Sequence, residues 1–129
     1  MKHWLRRWGP AFLVMGIIFA ASATPGSDLP TLGTWDLIAK KGGHMAGYAL
    51  LAIAYLHALG GGRTMTRFQF LSAFFLACLY AGFDEFHQSF TPGRSPSILD
   101  AFIDAIGAAL GLAARYWILR RRNAGAIRY

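Results

Sequence analysis

The sequence predicts an all-α fold, an integral membrane four-helix bundle with both termini in the cytoplasm. Three observations lead to this prediction. The chain of 129 residues is 55% hydrophobic, which is too apolar for an ordinary soluble domain. Four apolar windows divide the chain, and the basic residues are distributed unevenly among the segments that connect them.

The four windows are expected to be helices because the backbone inside a bilayer must satisfy its own hydrogen bonds. They cover residues 8–23, 42–59, 68–86 and 98–119. No segment between them is long enough to form a soluble unit, so residues 1–129 are predicted to be a single domain. The basic start "MKHWLRRWGP" also fits a cleavable signal peptide. Its removal would leave three spans, and four spans are preferred.

The basic residues predict the orientation. Ten of the 13 lie before the first window, between the second and third, or in the last part of the chain. The other three are Lys40, Lys41 and Arg94, and all six acidic residues fall on their side. The positive-inside rule therefore places both termini in the cytoplasm. The net charge of +7 is interpreted as a topology signal with anionic-lipid contact, and no nucleic-acid partner is predicted.

Polar residues cluster at the outer ends of the last three helices. The segments are "KKGGHMAGY", "DEFHQ" and "SPSILDAFID", and their helical spacing places the polar residues of each segment on one face. Carboxylates facing lipid would be costly, so these faces are expected to point inward. The candidate site residues are Lys41, His44, Tyr48, Asp84, Glu85, Gln88, Arg94, Asp100 and Asp104.

The turn "TPGRSPS" is expected to precede a helix start with Ser95 as N-cap and Pro96 as the first helical residue. Arg94 beside the exposed N–H groups of that helix then predicts an anion site. The lone Cys78 excludes an intrachain disulfide and a thiolate metal cluster.

The segments "KKGGHMAGY", "DEFHQSFTPGR" and "SILDAFIDAIGAALG" resemble the signature segments of the VanZ-like family of membrane proteins, named for a teicoplanin-resistance protein. The resemblance covers residues 40–111 or so. It departs from the family pattern at Lys40, where the family has Asp, and at Asp104, where it has Asn. These two changes predict a contact between positions 40 and 104 with reversed polarity. Family positions are matched by Lys41, His44, Asp84, Glu85, Gln88, Arg94, Asp100, Gly107 and Gly111.

The resemblance implies a multi-pass protein of the bacterial cytoplasmic membrane, associated with glycopeptide resistance. It does not supply a biochemical activity. Membrane lipids are the expected surroundings, and the oligomeric state stays open.

Three function classes follow from the cluster. The preferred one is recognition: Lys41 and Arg94 hold an anionic group of an envelope lipid, a lipid-linked cell-wall precursor or a lipoglycopeptide. The second is an enzyme with His44, Glu85 or Asp84 in acid–base roles. The third is an oligomeric transporter, although no broken-helix signature is present. The structural alternative is an ion-pair network that only joins the helices.

No cofactor is predicted. A metal-dependent enzyme would use His44, Asp84, Glu85 and Asp100, but no His-Glu-x-x-His motif supports it, and no metal ligand is assigned. Of the other histidines, His87 is a weak candidate beside the cluster, and His57 is interpreted as an interfacial residue.

Overall fold

The computed structural model describes residues 1–25, 33–60 and 65–126, with side chains as far as residue 123. Four α-helices form in these residues: α1 (Lys2–Ala23), α2 (Thr34–Gly60), α3 (Arg67–Gln88) and α4 (Ile98–Ala126). The described residues contain no strand, which confirms the all-α, four-helix prediction. Asp28, Arg63 and Arg128, which entered the charge assignment, lie outside the described residues.

The helices are longer than the apolar windows. Helix α2 begins eight residues before the predicted position 42, because Asp36 in its first turn forms an i,i+4 ion pair with Lys40 at 2.7 Å. The glycine pair at positions 42 and 43 does not end this helix, since tertiary packing overrides the low helix propensity of glycine. Lys40 and Lys41 therefore lie inside α2, not in the connection before it.

Successive helices run antiparallel. The Arg7 guanidinium at the start of α1 donates to the carbonyl of Ala58 near the end of α2, with the Nη2 atom 2.8 Å away. The rings of Phe70 and Tyr116 join the start of α3 to the last part of α4. One end of the bundle, the termini end, therefore holds the start of α1 and the end of α4. The opposite end, the cluster end, holds the candidate site.

Helix α2 is the centre of the bundle and packs against the other three helices, most extensively against α4. Its Tyr48, Leu51 and Leu56 are the largest apolar side chains that are fully buried. The facing side of α3 is a stripe of small residues at i,i+4 spacing, Ala73, Ala77 and Ala81. Asp84 and Gln88 continue the stripe, so the inner face of α3 changes from small to polar towards the cluster end.

The outer surface of α3 is apolar. Phe75, Leu79 and Phe83 are all more than half exposed. Large apolar side chains outside and small or polar ones inside reverse the pattern of a helix in a soluble protein.

Within the described residues, none of the helices has the length and mean hydropathy that a membrane crossing requires. The described bundle is all-α, whereas its insertion in a membrane and the cytoplasmic position of its termini remain predictions.

Candidate functional site

Two polar contacts join α2 to α4 at the cluster end. The Lys41 Nζ atom lies 2.8 Å from an Asp100 oxygen, and one turn further the His44 Nδ1 atom lies 3.5 Å from an Asp104 oxygen. The spacing explains the pairing, since i,i+3 on α2 and i,i+4 on α4 each advance about one helical turn. The carboxylates of α4 therefore face inward, as their position on one stripe predicts.

Two glycines continue the α4 stripe and set its distance from α2. A Cβ atom at Gly107 would overlap the carbonyl oxygen of Met45, and one at Gly111 would lie 2.5 Å from that of Ala49. Both glycines therefore permit a backbone approach that any larger residue prevents. This close approach brings the side chains at positions 44 and 104 within reach of each other.

Asp84 lies between α3 and α1. Its Oδ2 atom accepts hydrogen bonds from Ser22 Oγ at 2.8 Å and from Gln88 Nε2 at 3.2 Å. All three side chains are buried. Ser22 is not among the candidate residues predicted from the sequence. It lies four residues after the buried Ile18 and therefore on the same face of α1, a spacing that could have indicated it.

Glu85 has a capping role. One of its oxygens accepts the backbone N–H of Ser97 at 2.9 Å, and the Ser97 hydroxyl accepts that of Leu99. Helix α4 begins at Ile98, so the predicted start with Ser95 as N-cap and Pro96 as first residue is wrong. The reason is that Glu85 and Ser97 satisfy the first free amides two residues later than expected.

Arg94 also has a structural role. Its Nη2 atom donates to the carbonyl of Ala21 at 2.8 Å, and its Nε atom donates to that of Thr24 at 3.2 Å. A cation at the C-terminal end of α1 satisfies free carbonyls and opposes the negative end of the helix dipole. Because the carbonyls are neutral, they do not balance the positive charge of the guanidinium.

Two adjoining cavities open at the cluster end. The polar cavity has a volume of about 110 Å³, and eight of its ten lining residues are charged or polar. The apolar cavity, about 410 Å³, lies between α1 and α2 beside residues such as Ile17, Ala21 and Gly43. Lys40, His44 and Arg94 line both cavities. Of the nine candidate residues, the polar cavity is lined by Lys41, His44, Glu85, Gln88, Arg94, Asp100 and Asp104.

A family model described as VanZ/LLP1 matches residues 8–120. The chain belongs to the VanZ/LLP1 family. This confirms the family predicted from the signature segments, and the match includes all nine candidate residues. No curated protein and no solved structure matches the chain.

The two departures from the VanZ-like pattern do not form the predicted contact. Lys40 pairs with Asp36 of its own helix, and Asp104 faces His44. The prediction of a contact between positions 40 and 104 is therefore wrong. Because α2 begins at Thr34, the Asp36 carboxylate lies one helical turn before Lys40. The apolar window began at residue 42 and included neither residue.

Two candidate residues lie behind the lining. Asp84 and Tyr48 are buried, and Tyr48 packs against the ring of His44 with 6.3 Å between centroids. The other histidines have different surroundings: His87 stacks on Phe19, and His57 is exposed near the end of α2. The arrangement offers a charged cavity next to an apolar one, with His44 at their common boundary.

Proposed function

We propose that this VanZ/LLP1 protein is an integral protein of the bacterial cytoplasmic membrane that binds an amphiphilic envelope ligand. The headgroup enters the polar cavity and the hydrocarbon chain enters the apolar cavity. One observation carries the proposal: the two cavities adjoin and share Lys40, His44 and Arg94. A ligand with one charged end and one apolar end matches that arrangement.

The surface of the bundle supports a lipid environment. Phe75, Leu79 and Phe83 face outward from α3 while the alanine stripe faces inward, which is the pattern of a helix packed through small residues in a bilayer. Both described termini lie at one end of the bundle, in agreement with the distribution of basic residues. The cluster end then faces the outer side of the membrane.

The charges of the polar cavity favour an anionic headgroup that also carries hydrogen-bonding groups. Arg94 binds neutral carbonyls, which do not balance its positive charge, whereas Lys41 is paired with Asp100. The cavity volume of about 110 Å³ is well below the roughly 300–1,000 Å³ of sites for drug-sized ligands, so it restricts the headgroup to a small one. The VanZ-like family is named for a teicoplanin-resistance protein. This association points to a lipid-linked cell-wall precursor or a lipid-tailed glycopeptide as the ligand.

Gly43 and Gly42 provide a matched test of the apolar cavity. Both have open space where a side chain would begin, but only Gly43 lines the cavity. We expect native mass spectrometry of gently extracted protein to detect an isoprenoid-linked or other envelope lipid. Gly43→Leu should remove that lipid, and Gly42→Leu should retain it. The same lipid signal in both variants, or none in the wild type, would contradict the proposal.

Lys40→Gln tests the polar end of the ligand, with Arg120→Gln at the termini end as its control. Lys40 is preferred to Arg94 because Arg94→Ala would also release the carbonyls at the end of α1. Loss of the lipid from Lys40→Gln alone would indicate a headgroup contact, and equal retention in both variants would exclude one.

A second candidate is a membrane enzyme that acts on a lipid-linked envelope substrate. The pair of His44 and Asp104, 3.5 Å apart and lining the polar cavity, favours it, since a carboxylate can orient an imidazole for proton transfer. The mass of the bound lipid provides the test. A lipid that His44→Gln binds but leaves unchanged, while the wild type converts it, would establish catalysis. The transporter alternative stays a prediction.

A further inference from the structure

Three potential metal ligands from three helices meet beside the polar cavity. His44 of α2, Asp84 of α3 and Asp104 of α4 each place one ligand atom within 4.8 Å of the other two. Both carboxylates are 1% exposed. Neighbouring residues of one helix do not account for the grouping, because the three side chains come from separate helices.

The carboxylate oxygens lack partners of the kind that burial requires. Among the residues that the structure describes, both oxygens of Asp104 and the Oδ1 atom of Asp84 find no hydrogen-bond partner. Ser22 and Gln88 both bond to the other Asp84 oxygen. A buried carboxylate oxygen without a partner is costly, and native proteins rarely contain one.

The neighbouring basic side chains have other partners. Lys41 binds Asp100, and Arg94 binds the carbonyls at the end of α1. His44 approaches Asp104 at 3.5 Å, so a protonated imidazole would balance at most one of the two carboxylates. Among the described residues, no basic side chain donates to the free carboxylate oxygens, so these oxygens are open to a cation.

We propose that His44, Asp84 and Asp104 bind one divalent transition-metal ion. The ion replaces the missing hydrogen-bond partners and balances the two carboxylate charges. This site goes beyond the binding of an amphiphile and does not depend on it, because all three ligand atoms come from the protein itself.

The ligand set indicates the class of ion. An imidazole together with carboxylates favours first-row transition ions such as Zn²⁺ over Mg²⁺ or Ca²⁺, which prefer oxygen ligands alone. In a tetrahedral Zn²⁺ site with bonds of about 2.0–2.2 Å, two ligand atoms lie about 3.4 Å apart. The three groups, now within 4.8 Å of one another, therefore need to close by up to about 1.4 Å. Ser22 and Gln88 would orient Asp84 from behind.

The site also has room for a further ligand. His44 and Asp104 line the polar cavity, so three protein ligands would leave a coordination position open on that side. A water molecule or an oxygen of a headgroup would fill it.

Cobalt titration tests the site. Protein without a histidine tag is freed of metal with a chelator and titrated with Co²⁺, whose visible absorption reports coordination. We expect one equivalent to bind and Zn²⁺ to displace it. Asp104→Asn, which preserves the shape of the side chain, should weaken Co²⁺ binding by at least about tenfold, as should His44→Gln. Zn²⁺ should raise the Tm of the wild type and not of these variants.

Asp36→Asn and His57→Gln are the controls, because each removes the same type of group outside the cluster and neither residue lines the polar cavity. Both should bind Co²⁺ like the wild type. Circular dichroism of every variant establishes whether it is folded. If either Asp104→Asn or His44→Gln does not fold, the other still tests the site. Absence of stoichiometric binding in the wild type would overturn the proposal and indicate carboxylates that share a proton. Undiminished binding in both ligand variants would overturn it as well.

Discussion

The two carboxylate oxygens of the buried Asp84 have different surroundings. One oxygen accepts hydrogen bonds from Ser22 and Gln88, while the other has no hydrogen-bond partner in the described part of the chain. The first oxygen fixes the position of the carboxylate between α1 and α3. The second is available to an ion. At the scale of single residues, structural support and the proposed site therefore share one side chain.

Ser22→Ala is expected to lower the free energy of unfolding by about 1.5–3 kcal/mol, because it removes a buried hydrogen bond to a carboxylate. Denaturant unfolding followed by circular dichroism measures the change. Ser95→Ala, in the exposed turn before α4, serves as the control and should stay within about 0.5 kcal/mol of the wild type. An equal effect of the two substitutions would show that the Ser22 contact contributes little.

The residues of the cluster were predictable, but several of their partners were not. Helical spacing predicts that Lys41 and His44 share a face, and that Asp100 and Asp104 do so on α4. It cannot predict that Arg94 reaches the end of α1, some 70 residues away in the chain. Such contacts depend on how separate helices pack, which short-range periodicity does not contain.

Two of the helix ends at the cluster end are satisfied by side chains from elsewhere in the bundle. Arg94 binds the carbonyls that end α1, and Glu85 accepts the amide that precedes α4. Arg7 does the same for α2 at the termini end. At the scale of elements, these charged residues join one helix to the next, which supports the structural alternative for Glu85 and Arg94. Their neighbours Lys40 and His44 are better placed for a ligand.

Gly107→Ala is expected to destabilise the bundle by about 3 kcal/mol, because its Cβ atom would overlap a backbone carbonyl of α2 and separate the two helices. Gly82→Ala is the matched control. Gly82 lies inside α3 with open space around it, so alanine there should stabilise the protein by about 0.5–1 kcal/mol. Unfolding curves for the two variants that shift in the same direction would contradict the close approach of α2 and α4.

The elements themselves were largely predictable, since all four apolar windows lie within observed helices. Three of their limits were not: α1 and α2 begin six and eight residues before their windows, and α4 extends seven residues beyond its window. The predicted start of α4 missed Glu85 as a capping partner, and the predicted start of α2 missed the Asp36–Lys40 pair. Hydropathy reports where a helix is apolar, whereas helix ends depend on which polar group satisfies the terminal amides and carbonyls.

At the scale of the whole molecule, the antiparallel order places both described termini at one end and the candidate site at the other. Basic residues of the first and last helices therefore gather at the termini end, while the acidic residues of α3 and α4 gather at the cluster end. The sequence predicts this separation of charge from the positive-inside rule alone. The fold adds a physical reason, because an even number of antiparallel helices returns the chain to the side from which it began.

Cysteine accessibility tests the proposed orientation in the membrane. In a Cys78→Ser background, single cysteines are introduced by Ser95→Cys at the cluster end and by Lys2→Cys or Arg122→Cys at the termini end, all at exposed positions. A membrane-impermeant maleimide added to intact spheroplasts should label the first variant, and the other two only after lysis. Labelling of Lys2→Cys in intact spheroplasts would reverse the orientation and move the cluster to the cytoplasmic side. Recovery of the protein in the supernatant after carbonate extraction would exclude membrane insertion altogether.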